Sequence, residues 1–456
     1  MTVAKLLRWF VVVAVGGTIF SVIYSVSGGH RPAEEPGPTL RRSRPSAPAL
    51  PAAGAGGLGP GLLPPSAIRP AFDTVGAAAG APATNKKGEP CPRRGCVPSF
   101  WAPMNINGME HGEPRVELCK IRLDDYWRQP AKTPMFRDLV SSSGCAKGRH
   151  GGLYDLHADM VKKGIKPLAP SGFVFHESRV GSTLVANMLA SVPTHLVYSE
   201  SAPPSSVVNQ CKRCSADRQR DILRKVIDLM GASPYHDALF FKFQSITVPS
   251  MLVLLDAFPS TPWIFVYRDP VQTMMSHFKN GVGNGPCLRE QRNPRDATAG
   301  VLGVDKHAAS KTSKENYCAA HLAMLSYAAA DAYASHPSTG LLVDYESLPG
   351  SLPSYVLPKH FGVPVAADDG PRIAAAGGVY SKARDTKKLQ GEWEGDSEKK
   401  EKASTPTIRD AAGAYLKPAF DKCREFTLAK TGGDDLVHLK GDMIYTADDG
   451  AGAPRR

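Results

Sequence analysis

Two stretches of this 456-residue chain carry the same unit of strand, small-residue turn and helix, and that recurrence restricts the fold more than any other feature. Phe173-Val174-Phe175 is a short apolar run suited to a buried strand, and His176-Glu177-Ser178-Arg179-Val180-Gly181-Ser182-Thr183 is a turn of mostly small or polar residues. Leu184, Val185, Met188, Leu189 and Val192 then recur at helical spacing. The unit returns at Trp263-Ile264-Phe265-Val266-Tyr267, which Arg268 ends; Asp269 and Pro270 occupy the cap and first position of a helix. Val271, Met274, Met275 and Phe278 form its apolar stripe, leaving Gln272 and Ser276 on another face. Strands that lead into helices in this way predict an α/β domain with a central parallel sheet flanked by helices.

The turn has a chemical consequence. At a helix start the unpaired amides and the helix dipole converge on one point, which attracts an anion. Gly181 lets the backbone approach closely, Ser182 and Thr183 supply hydroxyl donors, and Arg179 supplies a cationic fork. An ordinary strand-to-helix turn with a Ser/Thr cap is the plain alternative. The loop is not a Walker phosphate loop, because no Lys precedes the Ser-Thr pair, which disfavours a kinase of that type. Arg268, at the carboxyl end of the second strand, and Ser276, two turns along its helix, make a second anion-seeking pair. Ligands gather at the carboxyl ends of parallel strands, so both pairs are expected on one edge. A pairing of Arg268 with a neighbouring carboxylate such as Asp269 is the alternative there.

Composition locates the rest. Trp9 to Val26 is eighteen residues without a charge, just enough to span a bilayer, with Lys5 and Arg8 before it. Residues 1–30 are read as a cytoplasmic tip and signal-anchor transmembrane helix, and cleavage near Ser25-Val26-Ser27-Gly28 is the alternative. Residues 31–90 hold 12 Pro and 9 Gly with no apolar period, the composition of a disordered stem. Of the chain's net charge of +12, five units fall before residue 91, so the remainder is only mildly basic. All nine cysteines lie beyond the stem, and a lumenal location makes disulfides their default state, with a local bond for Cys211 and Cys214. Residues 91–166 read as an irregular, Cys-containing N-terminal extension, 167–445 as the main domain and 446–456 as a disordered tail. A collagen, a multi-span membrane protein and a wholly disordered chain are excluded.

Arg179-Val180-Gly181-Ser182-Thr183 resembles the 5′-phosphosulfate loop of sulfotransferases, and Arg268 followed eight residues later by Ser276 resembles that family's 3′-phosphate motif. The resemblance runs from about Gly172 to Val365 and is nearest to the tyrosylprotein sulfotransferases, Golgi type II membrane enzymes. It implies a P-loop-like sulfotransferase fold and 3′-phosphoadenosine 5′-phosphosulfate (PAPS) as sulfuryl donor, with no metal. Cofactor contacts would come from Arg179, Val180, Gly181, Ser182, Thr183, Arg268 and Ser276. Glu200 matches the family's catalytic glutamate, and Lys242, a single charge in the apolar run Leu239 to Phe243, matches its active-site lysine. Leu341-Leu342-Val343-Asp344-Tyr345-Glu346-Ser347-Leu348 is similar to the last core strand, and Ser381 and Lys382 to the basic loop that closes over the nucleotide. Val180 departs from the usual Ser, one Glu stands where tyrosylprotein sulfotransferases have two, and the chain beyond Val365 aligns poorly.

A carboxylate suits removal of an acceptor proton, and Arg179 and Lys242 suit the charge that gathers on a leaving phosphate. Glu200 as a helix cap, Lys242 as a snorkelling strand residue and His176 as a bystander are the plain readings of the same side chains. The expectation is a single-pass Golgi membrane enzyme with a lumenal domain and a protein tyrosine or glycan acceptor, no nucleic acid partner and an oligomeric state that the sequence leaves open. A lumenal protein that binds the nucleotide without turnover is the competing class.

Overall fold

The computed structural model describes residues 99–122, 135–142, 145, 149–279, 281–378 and 397–431. The apolar segment at residues 9–26, the stem, Ser381, Lys382 and the tail lie outside these residues. Among the described residues no helix is long and apolar enough to cross a membrane.

The described part of the extension is regular. β1 (Ser99–Asn107), β2 (Arg115–Arg122) and β3 (Arg149–Gly152) form an antiparallel sheet, with α1 (Phe136–Ser142) before β3 and α2 (Leu153–Lys162) after it. β2 reads Arg-Val-Glu-Leu-Cys-Lys-Ile-Arg; Val116 and Leu118 are buried on one face, Cys119 and Ile121 on the other, while Arg115, Lys120 and Arg122 face water. A disulfide joins Cys119 to Cys145.

The main domain is built as the alternation predicts. β4 (Pro170–His176) leads to α3 (Ser182–Ala190), β5 (His195–Ser199), α4 (Ala202–Gln210), α5 (Ala216–Met230) and β6 (Ala238–Lys242). α6 (Met251–Ala257), β7 (Trp263–Tyr267), α7 (Pro270–His277), α8 (Asp296–Leu302), α9 (Lys306–Lys311), α10 (Lys314–Ser335) and β8 (Gly340–Asp344) follow. Beyond them come α11 (Asp369–Gly377), α12 (Ser397–Ala403), α13 (Pro406–Ala411) and α14 (Lys417–Thr431).

The five-stranded sheet has the order β5-β6-β4-β7-β8, and all four pairings are parallel. Strands buried on both faces read as continuous apolar runs, which is what Phe173 to Phe175, Leu239 to Phe241 and Trp263 to Tyr267 are. Phe173 and Phe175 project from β4 to one face, where Phe175 stacks on Phe243 at 5.1 Å and meets Trp263 edge-on at 6.2 Å. From β4 the chain leaves toward β5 on one side, and from β7 toward β8 on the other. In a doubly wound sheet that reversal opens a crevice at the carboxyl ends of the two strands, here β4 and β7.

Several histidines lie in or against this core. His236 packs its Nδ1 against the Ser233 hydroxyl at 2.7 Å, and His360 donates from Nε2 to the carbonyl of Trp263 at 3.0 Å. Burial pushes His236 down to about 3, and His321 and His360 down to about 4, so all three are neutral in the folded chain near neutral pH. The unfolded chain protonates them near the ordinary value of 6.5, so it binds more protons between pH 6.5 and 4. Their contribution to stability is complete above pH 6.5 and falls as pH drops through that window, by up to about 1.4 kcal/mol per pH unit for each ring. Urea midpoints should fall from pH 6.5 to 4.5. His360→Gln, which keeps a donor for Trp263, should flatten the slope; an unchanged slope would show that His360 does not contribute to it.

Candidate functional site

The sheet register assembles the site. Ser199, the last residue of β5, pairs with Lys242, the last residue of β6, so Glu200 emerges beside the lysine. The Glu200 amide donates to the Lys242 carbonyl at 2.6 Å, and Lys242 Nζ donates to Glu200 Oε1 at 2.5 Å. Lys242 is 1% exposed and the Glu200 side chain 30%. Burial lowers the Lys242 ammonium from its ordinary value, and the Glu200 carboxylate opposes that shift. Neither plain alternative fits: Ser201, not Glu200, precedes α4 as its cap residue, and Lys242 points inward rather than to solvent.

The neighbouring loop runs from β4 to α3 and is held in unusual backbone conformations. Ser178 has φ 99°, Arg179 φ 60° and Gly181 φ 84°. Glu200, with φ 59°, completes the set of positive-φ residues other than glycine among the described residues, and all three line one cavity of about 580 Å³. Such conformations cost roughly 1–3 kcal/mol each and cluster where a site requires them. The amino end of α3 has no side-chain cap, so its first amides are left for a ligand. Arg179 is exposed in the cavity and has no hydrogen-bond or ion-pair partner among the described residues, in contrast to Lys242.

His176 ends β4 behind this loop. Its Nε2 donates to the Phe243 carbonyl at 3.1 Å, which leaves a lone pair on Nδ1, a buried atom with no hydrogen-bond partner. Burial and then the Lys242 charge hold the ring well below its ordinary value, so it stays neutral.

Of the sequence-predicted residues, Arg179, Val180, Gly181, Ser182, Thr183, Glu200 and Lys242 line the cavity together. Arg268 and Ser276 do not. Arg268 lies on the same sheet edge, buried, with Nε donating to Gln272 Oε1 at 2.9 Å and Nη2 to the Ser397 hydroxyl at 3.2 Å. Ser276 donates to the Gln272 carbonyl at 2.8 Å. Gln272 and Ser276 do fall off the stripe of α7, but that face is also covered, because α12 packs on α7. Tyr345 connects the two places: its ring lies beneath the Arg268 guanidinium, 4.0 Å from centroid to carbon, and against the Gly181 turn.

Glu290, Arg295, His277 and His321 also line the cavity and were not expected. They come from segments a hundred residues beyond the loop with no motif of their own. His277, Cys287 and Cys318 are the only metal-ligating cluster among the described residues, but the two sulfurs are bonded to each other and are not thiolate donors. Cys211 and Cys214 form the local disulfide expected from their spacing.

No family model matches the chain, and no curated protein does. Among solved structures it is similar to a sulfotransferase from Alicyclobacillus acidocaldarius, at 12% identity and a TM-score of 0.33 over 57% of this chain and 96% of that one. It is also similar to the sulfotransferase domain from the curacin biosynthetic pathway, at 12% identity and TM-score 0.31 over 58% and 98%. A third is the sulfotransferase domain of the Synechococcus PCC 7002 olefin synthase, at 14% and 0.31 over 55% and 95%. At those values the fold rests on this chain's own strand order and register.

A methyl group on Gly181 would lie 2.4 Å from the Tyr345 ring, at a φ that side chains rarely adopt. Gly181→Ala should therefore cost roughly 1–3 kcal/mol. Adding Tyr345→Ala should restore only the steric part of that loss, measured by urea denaturation against Tyr345→Ala alone.

Proposed function

We propose that the chain is a sulfotransferase that moves the sulfuryl group of PAPS to a hydroxyl acceptor. The observation that carries this reading is the Lys242–Glu200 pair at 2.5 Å, in one cavity with unpartnered Arg179 and the uncapped start of α3. The loop suits a phosphosulfate: amides at a helix start, two hydroxyls at Ser182 and Thr183, and one cation without a carboxylate partner. Arg268, at the end of the neighbouring strand, and Ser276 suit the nucleotide's 3′-phosphate. Ser381 and Lys382 are assigned to closure over the nucleotide.

In the reaction, the partly exposed Glu200 carboxylate takes the proton from the acceptor hydroxyl. The acceptor oxygen forms a bond to sulfur while the bond from sulfur to the bridging oxygen breaks, leaving its electron pair on the nucleotide's 5′-phosphate. Arg179 and Lys242 offset the charge that develops there. Lys242 is suited to this because it lies too deep to be hydrated, with its charge supported by Glu200. The three disulfides among the described residues support an oxidising compartment, in keeping with a membrane-anchored lumenal enzyme of the Golgi.

Glu200→Gln should lower kcat by about 10²- to 10⁴-fold while the product nucleotide still binds. Equal turnover in the variant would remove Glu200 as the base. Arg268→Ala should weaken binding of 3′-phosphoadenosine 5′-phosphate far more than of adenosine 5′-phosphate, measured by calorimetry; equal losses would reassign the 3′-phosphate site.

A further inference from the structure

Part of the cavity lining is not used by this chemistry. Arg295 grips Glu290 with two hydrogen bonds, Nε to Oε2 at 2.7 Å and Nη2 to Oε1 at 2.8 Å. That contact holds the Glu290 carboxyl below its usual range and raises the guanidinium. The pair is electrically balanced, yet the carboxylate keeps lone pairs and the guanidinium keeps N–H groups beyond those two bonds. His321, also on the lining, is a partly buried neutral ring whose buried Nδ1 has no hydrogen-bond partner and lies 4.0 Å from Glu290 Oε2. One turn further along α10, Met324 and Leu325 add an apolar surface to the same cavity.

This wall is also braced covalently. The Cys287–Cys318 disulfide joins the Glu290 segment to α10, and each cysteine stands three residues before one of the polar groups, Cys287 before Glu290 and Cys318 before His321. A polar wall held in register in this manner, at a cavity that already contains a base, has the form of a subsite for the second substrate.

We infer that Glu290, Arg295 and His321 form the acceptor subsite and that the acceptor is a carbohydrate. It would present a sugar ring whose adjacent hydroxyls both give hydrogen bonds to Glu290 and accept them from Arg295, with its C–H face on Met324 and Leu325. The inference rests on the sulfuryl-transfer reading and names its acceptor class. A tyrosine side chain has one hydroxyl, which Glu200 would engage, so only the peptide's backbone or neighbouring side chains would reach the Glu290–Arg295 pair and His321, whereas a sugar ring carries several hydroxyls beside the one that reacts.

The test uses the full chain, neutral lactosamine-type oligosaccharides and tyrosine peptides. Oligosaccharide binding without donor is followed by ligand-observed NMR, and transfer by radiolabelled PAPS. Glu290→Gln and His321→Gln should each raise the oligosaccharide KM about tenfold, the effect of losing one or two hydrogen bonds, with the KM for PAPS unchanged. The Cys287→Ser/Cys318→Ser variant should do the same while still binding 3′-phosphoadenosine 5′-phosphate, which verifies its fold. Sulfation of tyrosine peptides with no oligosaccharide binding would overturn the acceptor assignment and leave sulfuryl transfer standing. Oligosaccharide binding that is lost in Glu290→Gln, without transfer to either acceptor, would uphold the subsite and overturn the reaction. Acceptor KM values unmoved in all three variants would overturn the subsite.

Discussion

The pairing of β5 with β6 is the constraint from which the site follows. Parallel register sets Ser199 opposite Lys242, and the next amide, of Glu200, closes the ladder onto the Lys242 carbonyl. To make that bond and still reach Nζ, Glu200 takes a left-handed backbone conformation that residues other than glycine seldom adopt. Lys242 in turn is held where water cannot reach it, with its charge supported by one carboxylate. Each member therefore depends on the other, and both depend on a strand register fixed by buried apolar neighbours such as Tyr198 and Phe241.

β4 performs the corresponding task for the loop that follows it. As the central strand it is paired on both sides, so its carboxyl end is rigid where the chain turns into α3. The turn departs through three positive-φ residues, and Tyr345, just past β8, packs on it and under Arg268. A single aromatic ring thus couples the loop that lines the cavity to a cation that lies outside it. That arrangement suits an elongated anion with charge at both ends, lying along the sheet edge across β4 and β7.

What was legible in the sequence is local. Phe173 to Thr183 and Trp263 to Ser276 carry their strand, turn and cap signals within about a dozen residues each, and Lys242 stands out because a lone cation in an apolar run needs a reason. The three-stranded sheet is not legible because the alternation in Arg115–Arg122 breaks at buried Cys119, Pro and Gly surround it, and its pairing to Arg149–Gly152 is distant in sequence. The covered face of α7 was unreadable for the same reason: Ser397, which reaches Arg268, lies 129 residues away. Glu290 and Arg295 pair locally, but His321 joins them from a segment tied by a disulfide spanning 31 residues, and among nine cysteines no spacing singles out that pair.

The central claim is that this cavity performs transfer and does not merely hold a nucleotide. Single-turnover incubation of the full chain with PAPS radiolabelled at sulfur, in the presence of mixed hydroxyl acceptors, tests it most directly. The account predicts that label appears on an acceptor oxygen, located by mass spectrometry, in step with formation of an equal amount of 3′-phosphoadenosine 5′-phosphate. Stoichiometric binding of the nucleotide with all label retained on it would contradict the account and leave a binding protein.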